Sequence, residues 1–271
     1  MFSTLTPVTK WLLIANVVIY LVDVFSGHHL RYFGTFAIRS AIYEGRIWEF
    51  FTFQFLHGHV LHLLMNSIGL FFFGPLMERW WGSSRFLVFY LLAGAGGAAF
   101  YTLLAMLGVV DLGGLVGASA GIYGILAGIA VIAPNLRVAL LFPPIELSMR
   151  QLAMALLALA TVSIVFGLFG NEGGEAGHLG GAIVGFLLVK FPQLLSWIGP
   201  RDPDVERAGP RIHTGHSEAK LRPKSRLDLH QSTEIDLILD KISRDGFQSL
   251  TDEERQKLQR AANSHSSLND D

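Results

Sequence analysis

Six mostly apolar stretches, at about residues 10–26, 57–77, 85–108, 118–134, 150–169 and 177–197, recur through the first two hundred positions. A helix needs roughly 17–25 such residues to cross a bilayer, so each stretch is a candidate span. Composition agrees: of 271 residues, 51% are hydrophobic and 16% charged, against about 25% charged in an ordinary soluble domain. The expected fold class is an all-α membrane protein with six transmembrane helices. Met1 to Lys10 carries no cleavable signal pattern, so the stretch from Trp11 reads as a retained first span. The net charge of -1 gives no sign of a nucleic-acid partner. The absence of cysteine excludes disulfides, thiolate catalysis and cysteine-ligated zinc together.

The fourth stretch is the shortest. Its helical part runs from Ser119 to Pro134, about 24 Å at 1.5 Å per residue, less than a 30 Å hydrocarbon core. One end must therefore begin below the membrane surface, which is tolerable only where protein or a wet cavity meets the free backbone groups.

Residues 27–56 mix aromatics with charge (Arg31, Tyr32, Phe33, Phe36, Arg39, Tyr43, Arg46, Trp48, Glu49), as suits a segment lying in the interface. Past Pro200 the character changes. The expected organisation is a membrane domain over 1–199, a flexible polar linker over 200–231, and a small cytoplasmic helical hairpin and tail over 232–271. Ile235, Leu237, Ile238, Leu239 and Ile242 supply the hairpin's apolar side, Asp245-Gly246 its turn, and Thr251 with Glu254 a capping box.

Lys10, Arg79, Arg85, Arg137, Arg150, Lys190 and Arg201 fall at one set of helix ends, and Asp111, Glu172 and Glu175 at the other. Basic residues in short loops stay on the cytoplasmic side, which places both termini there. Spans two, four and six then all run inward. His62 and Asn66 in span two, Ser119 at the start of span four and His178 at the start of span six come to comparable depth near the outer leaflet.

Spacing within the helices strengthens that convergence. His62 and Asn66 are four residues apart and share a face, as do Ser119 and Tyr123. Gly177, Gly181 and Gly185 form a ridge of small residues in span six that lets a neighbouring backbone come close. Close approach of spans four and six would bring Ser119 within hydrogen-bond reach of His178.

These are the parts of an acyl-transfer site. A serine hydroxyl needs an adjacent base, which His178 supplies, and activity should fall as that imidazole protonates. The free N–H groups of the helix opened by Ser119 favour a developing oxyanion. His62 and Asn66 can donate to the same oxygen, and Gly117 is assigned to that donor set. The spans hold no acidic residue well placed to orient His178, so a dyad is expected, with Tyr123 packing against the ring. His57 supports the site from behind, and His59 faces the interface.

The residues resemble the rhomboid family of intramembrane serine proteases over about 10–197. The family's H-x-x-x-N pattern falls on His62 and Asn66, and its G-x-S-G on Gly117, Ala118 and Ser119, with Tyr123 at its tyrosine position. Its base falls on His178, followed by the G-x-x-x-G pair Gly181 and Gly185, and Glu78-Arg79 looks like its cytoplasmic turn. Two residues depart from the pattern: Ala120 stands where a glycine usually follows the serine, and Trp48-Glu49 where Trp-Arg is frequent. The resemblance implies a six-helix rhomboid-like bundle with a water-filled cavity open to the outside. It implies cleavage of single-span transmembrane protein substrates within the lipid bilayer, near small, helix-breaking residues, without metal or other cofactor.

Other readings fit less well. His57, His59 and His62 invite a metal, but no H-E-x-x-H is present and di-iron membrane enzymes need many more histidines. A non-catalytic relative that binds membrane clients would typically have lost the serine or the histidine. A transporter would show charge pairs within its spans. The compact plan suggests a multi-pass protein of a bacterial inner membrane, and nothing in the residues indicates an oligomeric state.

Overall fold

The computed structural model describes residues 5–139 and 144–198, together with 238, 241, 250–254 and 256–257. The chain divides into two units, Met1–Arg211 and Ile212–Asp271. The first is mostly helical. α1 (Pro7–Phe25) is followed by a connection that holds two short helices, α2 (His29–Gly34) and α3 (Glu49–Thr52). The same connection holds a strand, β1 (Phe36–Ala37), and a π-turn over Arg39–Tyr43. α4 (Val60–Trp81) and α5 (Ser83–Met106) come next, and β2 (Gly114–Leu115) pairs antiparallel with β1. α6 (Ser119–Ile132) leads through a hairpin of β3 (Arg137–Ala139) and β4 (Glu146–Ser148) to α7 (Met149–Phe166). α8 (Glu172–Lys190) completes the bundle.

Four of these helices, α1, α4, α5 and α7, are long and apolar enough to cross a membrane. α6 has 14 residues, two fewer than the span expected to end at Pro134. α8 has 19 residues and starts at Glu172, five residues before the expected start of the last apolar stretch. A count of apolar residues cannot see that first turn, because Glu172 and Glu175 occupy it. Acidic side chains there complement the helix dipole and let the helix begin early.

α6 is the centre of the bundle, in contact with α4, α5, α7 and α8. Its small residues make this possible: Ala120, Gly121, Gly124, Ala127 and Gly128 are all buried. Around it lies a core that includes Leu70, Met77, Phe86, Phe89, Tyr90, Ile125 and Met149. The outside of the bundle reverses a soluble protein's arrangement, with Trp11, Val18, Leu61, Met65, Leu103, Met154 and Phe186 exposed on its helices. Such a surface is at home in hydrocarbon.

The ends of the helices are tied by polar contacts. Pro7 occupies N1 of α1, where its missing N–H costs nothing. The next two amides, of Val8 and Thr9, donate to the Glu78 carboxylate at 2.9 and 2.8 Å. The hydroxyls of Thr6, Thr9 and Ser83 donate to the same group. One buried carboxylate thus joins the start of α1, the end of α4 and the start of α5. In the connection after α1, Glu49 is 1% exposed and accepts from the Ala37 amide and the Ser40 hydroxyl, at 3.2 and 2.6 Å. That is the local work of the residue that departs from the Trp-Arg pattern.

In the second unit Thr251 and Glu254 exchange the reciprocal bonds of a capping box, and Lys241 pairs with Glu254 at 2.9 Å. The linker expected over 200–231 and most of the hairpin expected over 232–262 lie outside the described residues.

Candidate active site

Ser119 is the first residue of α6, and His178 lies in the second turn of α8. Their side chains meet: the Ser119 hydroxyl is 2.8 Å from His178 Nε2. Glycine sets that distance. A Cβ placed on Gly181 would lie 2.0 Å from the Ala120 carbonyl oxygen, and one on Gly185 would lie 2.4 Å from the Gly124 oxygen. No side chain fits in that space, so the backbones of α6 and α8 touch directly. The third ridge residue, Gly177, meets only Leu115, at an ordinary 3.7 Å. α5 closes the opposite side, where a Cβ on Gly97 would lie 2.6 Å from the Gly177 oxygen and 2.7 Å from the Ala120 Cβ. Ala120 therefore fits after the serine because α5 presents a glycine to it, a compensation that the motif alone does not reveal.

The segment before Ser119 is held from two sides. β2 pairs with β1, Leu115 opposite Phe36, and Tyr101 of α5 accepts from the Gly113 amide at 2.6 Å. Gly117 then turns the chain into α6 at φ +121° and donates its N–H to the Phe53 carbonyl at 2.9 Å. The Gly117 amide, expected among the oxyanion donors, thus has an acceptor in Phe53. The part of Gly117 is to make room: a Cβ at that position would lie 2.6 Å from His62 Nε2 and 3.5 Å from Asn66 Nδ2.

Those two distances also locate His62 and Asn66. Both side chains of α4 reach the Gly117 backbone immediately ahead of the serine. The Asn66 amide nitrogen is buried and has no hydrogen-bond partner among the described residues. A buried donor without an acceptor costs about 1–3 kcal/mol and calls for an explanation. His57 is buried and stands edge-on to His62, ring centroids 5.2 Å apart. His59 caps α4 by accepting from the His62 amide at 3.1 Å. Tyr123, one turn after the serine, stacks on the His178 imidazole with centroids 4.2 Å apart.

One expected feature is overturned. An acidic residue does face His178: Glu175 Oε2 lies 2.9 Å from His178 Nδ1. The signal for it in the sequence is the i,i+3 spacing of the two residues, which counts only once the helix is known to include Glu175.

A serine hydroxyl coupled to an imidazole is the chemistry of serine hydrolases, and here it lies within a bundle of apolar helices. The rhomboid-domain family model matches residues 44–191, over half of the chain, and the chain belongs to the rhomboid family. With four helices of spanning length and composition, it is an integral membrane protein. It is similar to rhomboid protease GluP of Bacillus subtilis (strain 168), 29% identical over 147 residues, 54% of this chain and 26% of that protein. It is similar to RHOMBOID-like protein 1 of Arabidopsis thaliana, 27% identical over 159 residues, 59% and 38% of the two chains. Rhomboid protease AarA of Providencia stuartii is 26% identical over 161 residues, 53% and 55% of the two chains. The chain covers less than two thirds of each of these three relatives. Residues 229–264 match a separate family of unknown function, DUF6576.

Proposed function

We propose that this protein is an intramembrane serine endopeptidase that cleaves transmembrane segments of membrane proteins through Ser119 and His178. The observation that carries the reading is the 2.8 Å hydrogen bond between the Ser119 hydroxyl and His178 Nε2 at the mouth of α6. The similarity to GluP and AarA, both named rhomboid proteases, supports it.

In this reading His178 Nε2 takes the hydroxyl proton as Ser119 Oγ attacks the scissile carbonyl. The new oxyanion is met by the unpaired Asn66 amide, by His62 and by the free N–H groups at the start of α6. The proton then passes to the leaving amine, and water resolves the acyl-enzyme by the same route. No metal or cofactor enters.

The six helices α1, α4, α5, α6, α7 and α8 all span in this account, with both termini cytoplasmic, in a bacterial inner membrane. Residues 1–199 form the protease domain, 200–231 a linker and 232–271 a cytoplasmic appendage. Substrates are single-span proteins that reach the serine from the lipid bilayer. The test is cleavage of a reconstituted single-span substrate: Ser119→Ala abolishes it, and unchanged cleavage by that variant refutes the proposal.

A further inference from the structure

The Ser119–His178 pair has a third partner. Glu175 precedes His178 by one helical turn, and its Oε2 lies 2.9 Å from Nδ1 while Nε2 lies 2.8 Å from the serine hydroxyl. An ionised carboxylate can only accept a hydrogen bond, so Nδ1 must carry the proton. Neutral imidazole has a single ring proton. Nε2 is therefore bare, aimed at the hydroxyl whose proton it must take. The opposite tautomer would leave two acceptors facing each other at Nδ1 and place a proton between Nε2 and Ser119.

We infer that Glu175 is a positioning residue for His178, setting its tautomer and stabilising the imidazolium formed when Ser119 attacks. This rests on the Ser119–His178 reading given above. The proton count closes without a change at Glu175. The hydroxyl proton moves to Nε2 as the Oγ–carbonyl bond forms, the Nδ1 proton stays between imidazole and carboxylate, and the Nε2 proton leaves with the amine. Glu175 remains ionised throughout.

Two further contacts hold the arrangement. Tyr123 lies parallel to the imidazole at 5° and blocks rotation out of plane. The first turn of α8, which contains Glu175, packs closely on α5, where a Cβ on Gly173 would lie 3.0 Å from the Tyr101 ring. The ring is thus fixed at its face and at both nitrogens.

The size of the effect follows from exposure. Removing the corresponding carboxylate from a fully buried serine–histidine–aspartate site costs about 10⁴ in rate by trapping the wrong tautomer. Here the His178 and Glu175 side chains are 16% and 17% exposed. Water can replace part of the missing acceptor, so a loss of about 10²-fold is expected.

The experiment uses the full chain in proteoliposomes and compares wild type with Glu175→Gln, Glu175→Ala, Ser119→Ala and His178→Ala. Glutamine keeps the shape and removes the charge. Turnover of a single-span substrate by wild type and the two Glu175 variants is normalised to the fraction of protein that a fluorophosphonate labels at saturation, and that of Ser119→Ala and His178→Ala to total protein folded by melting temperature. Glu175→Gln and Glu175→Ala should each lower kcat about 10²-fold with KM within twofold. In ¹⁵N-histidine spectra, His178, assigned by its absence in His178→Ala, should show protonated Nδ1 in wild type and a tautomer mixture in Glu175→Gln. A loosened helix would not move that signature. A kcat within twofold of wild type in Glu175→Gln, or an unchanged tautomer, overturns the inference while the loss in Ser119→Ala leaves the protease reading intact. Activity that survives Ser119→Ala overturns both.

Discussion

The phenol ring of Tyr123 lies flat on the imidazole of His178, centroids 4.2 Å apart and planes 5° from parallel. Ser119 and Tyr123 are four residues apart in α6, so one helix face presents both the nucleophile and the surface that holds its base. The contact uses the ring and not the hydroxyl. Tyr123→Phe should retain turnover within about threefold, and Tyr123→Ala should lose tenfold or more, because a base that swings costs geometry and not protonation. Turnover of a single-span substrate by the two variants checks this.

Gly181 should be the least replaceable residue of α8. A methyl group there would press on the Ala120 carbonyl, backbone against which nothing can shift. Gly181→Ala should cost about 3 kcal/mol, the upper end for overpacking, and should slow fluorophosphonate labelling by separating Ser119 from His178. Gly177→Ala is the control: its Cβ would meet Leu115 at 3.7 Å, and melting temperature and labelling should both hold.

The unpaired Asn66 amide predicts a loss specific to the chemical step. Asn66→Ala should lower kcat by about 10²–10³ with little change in KM, as expected for an oxyanion donor. Asn66→Asp, with the same shape and no N–H to offer, should do no better than alanine. His62→Ala should behave like Asn66→Ala. Steady-state kinetics on a single-span substrate separates the two parameters.

Glu78 predicts the converse, a loss of stability without a loss of chemistry. It stands sixteen residues beyond His62 in α4, about 24 Å along the helix. Glu78→Ala leaves the amides of Val8 and Thr9 and the Ser83 hydroxyl without their acceptor, at a cost of about 2–4 kcal/mol. Thermal unfolding should fall accordingly, while kcat per labelled molecule should match wild type.

How far the sequence could be read depended on the kind of signal. The apolar stretches place all the long helices, and the spacing of His62 with Asn66 and of Ser119 with Tyr123 marks the faces that meet. The glycines at 181 and 185 indicate where two backbones would touch. Glu175 was hidden for a physical reason. Counting apolar residues starts the last helix at 177, which leaves Glu175 in a loop with no fixed direction, whereas the helix starts at Glu172 and sets it one turn below His178. The bond from the Gly117 amide to Phe53 is equally illegible, because a motif carries no record of which amides are already bonded and the acceptor lies in a distant segment. Gly97, which lets Ala120 follow the serine, escaped notice among the many small residues of α5.

The central claim is that His178 activates Ser119, and it can be tested without knowing the natural substrate. Purified protein is treated with a fluorophosphonate probe beside Ser119→Ala and His178→Ala, with folding of each verified by melting temperature. The account predicts labelling of wild type that is lost in both variants. Labelling of Ser119→Ala at the wild-type rate, or a folded wild type that does not react at all, would contradict it.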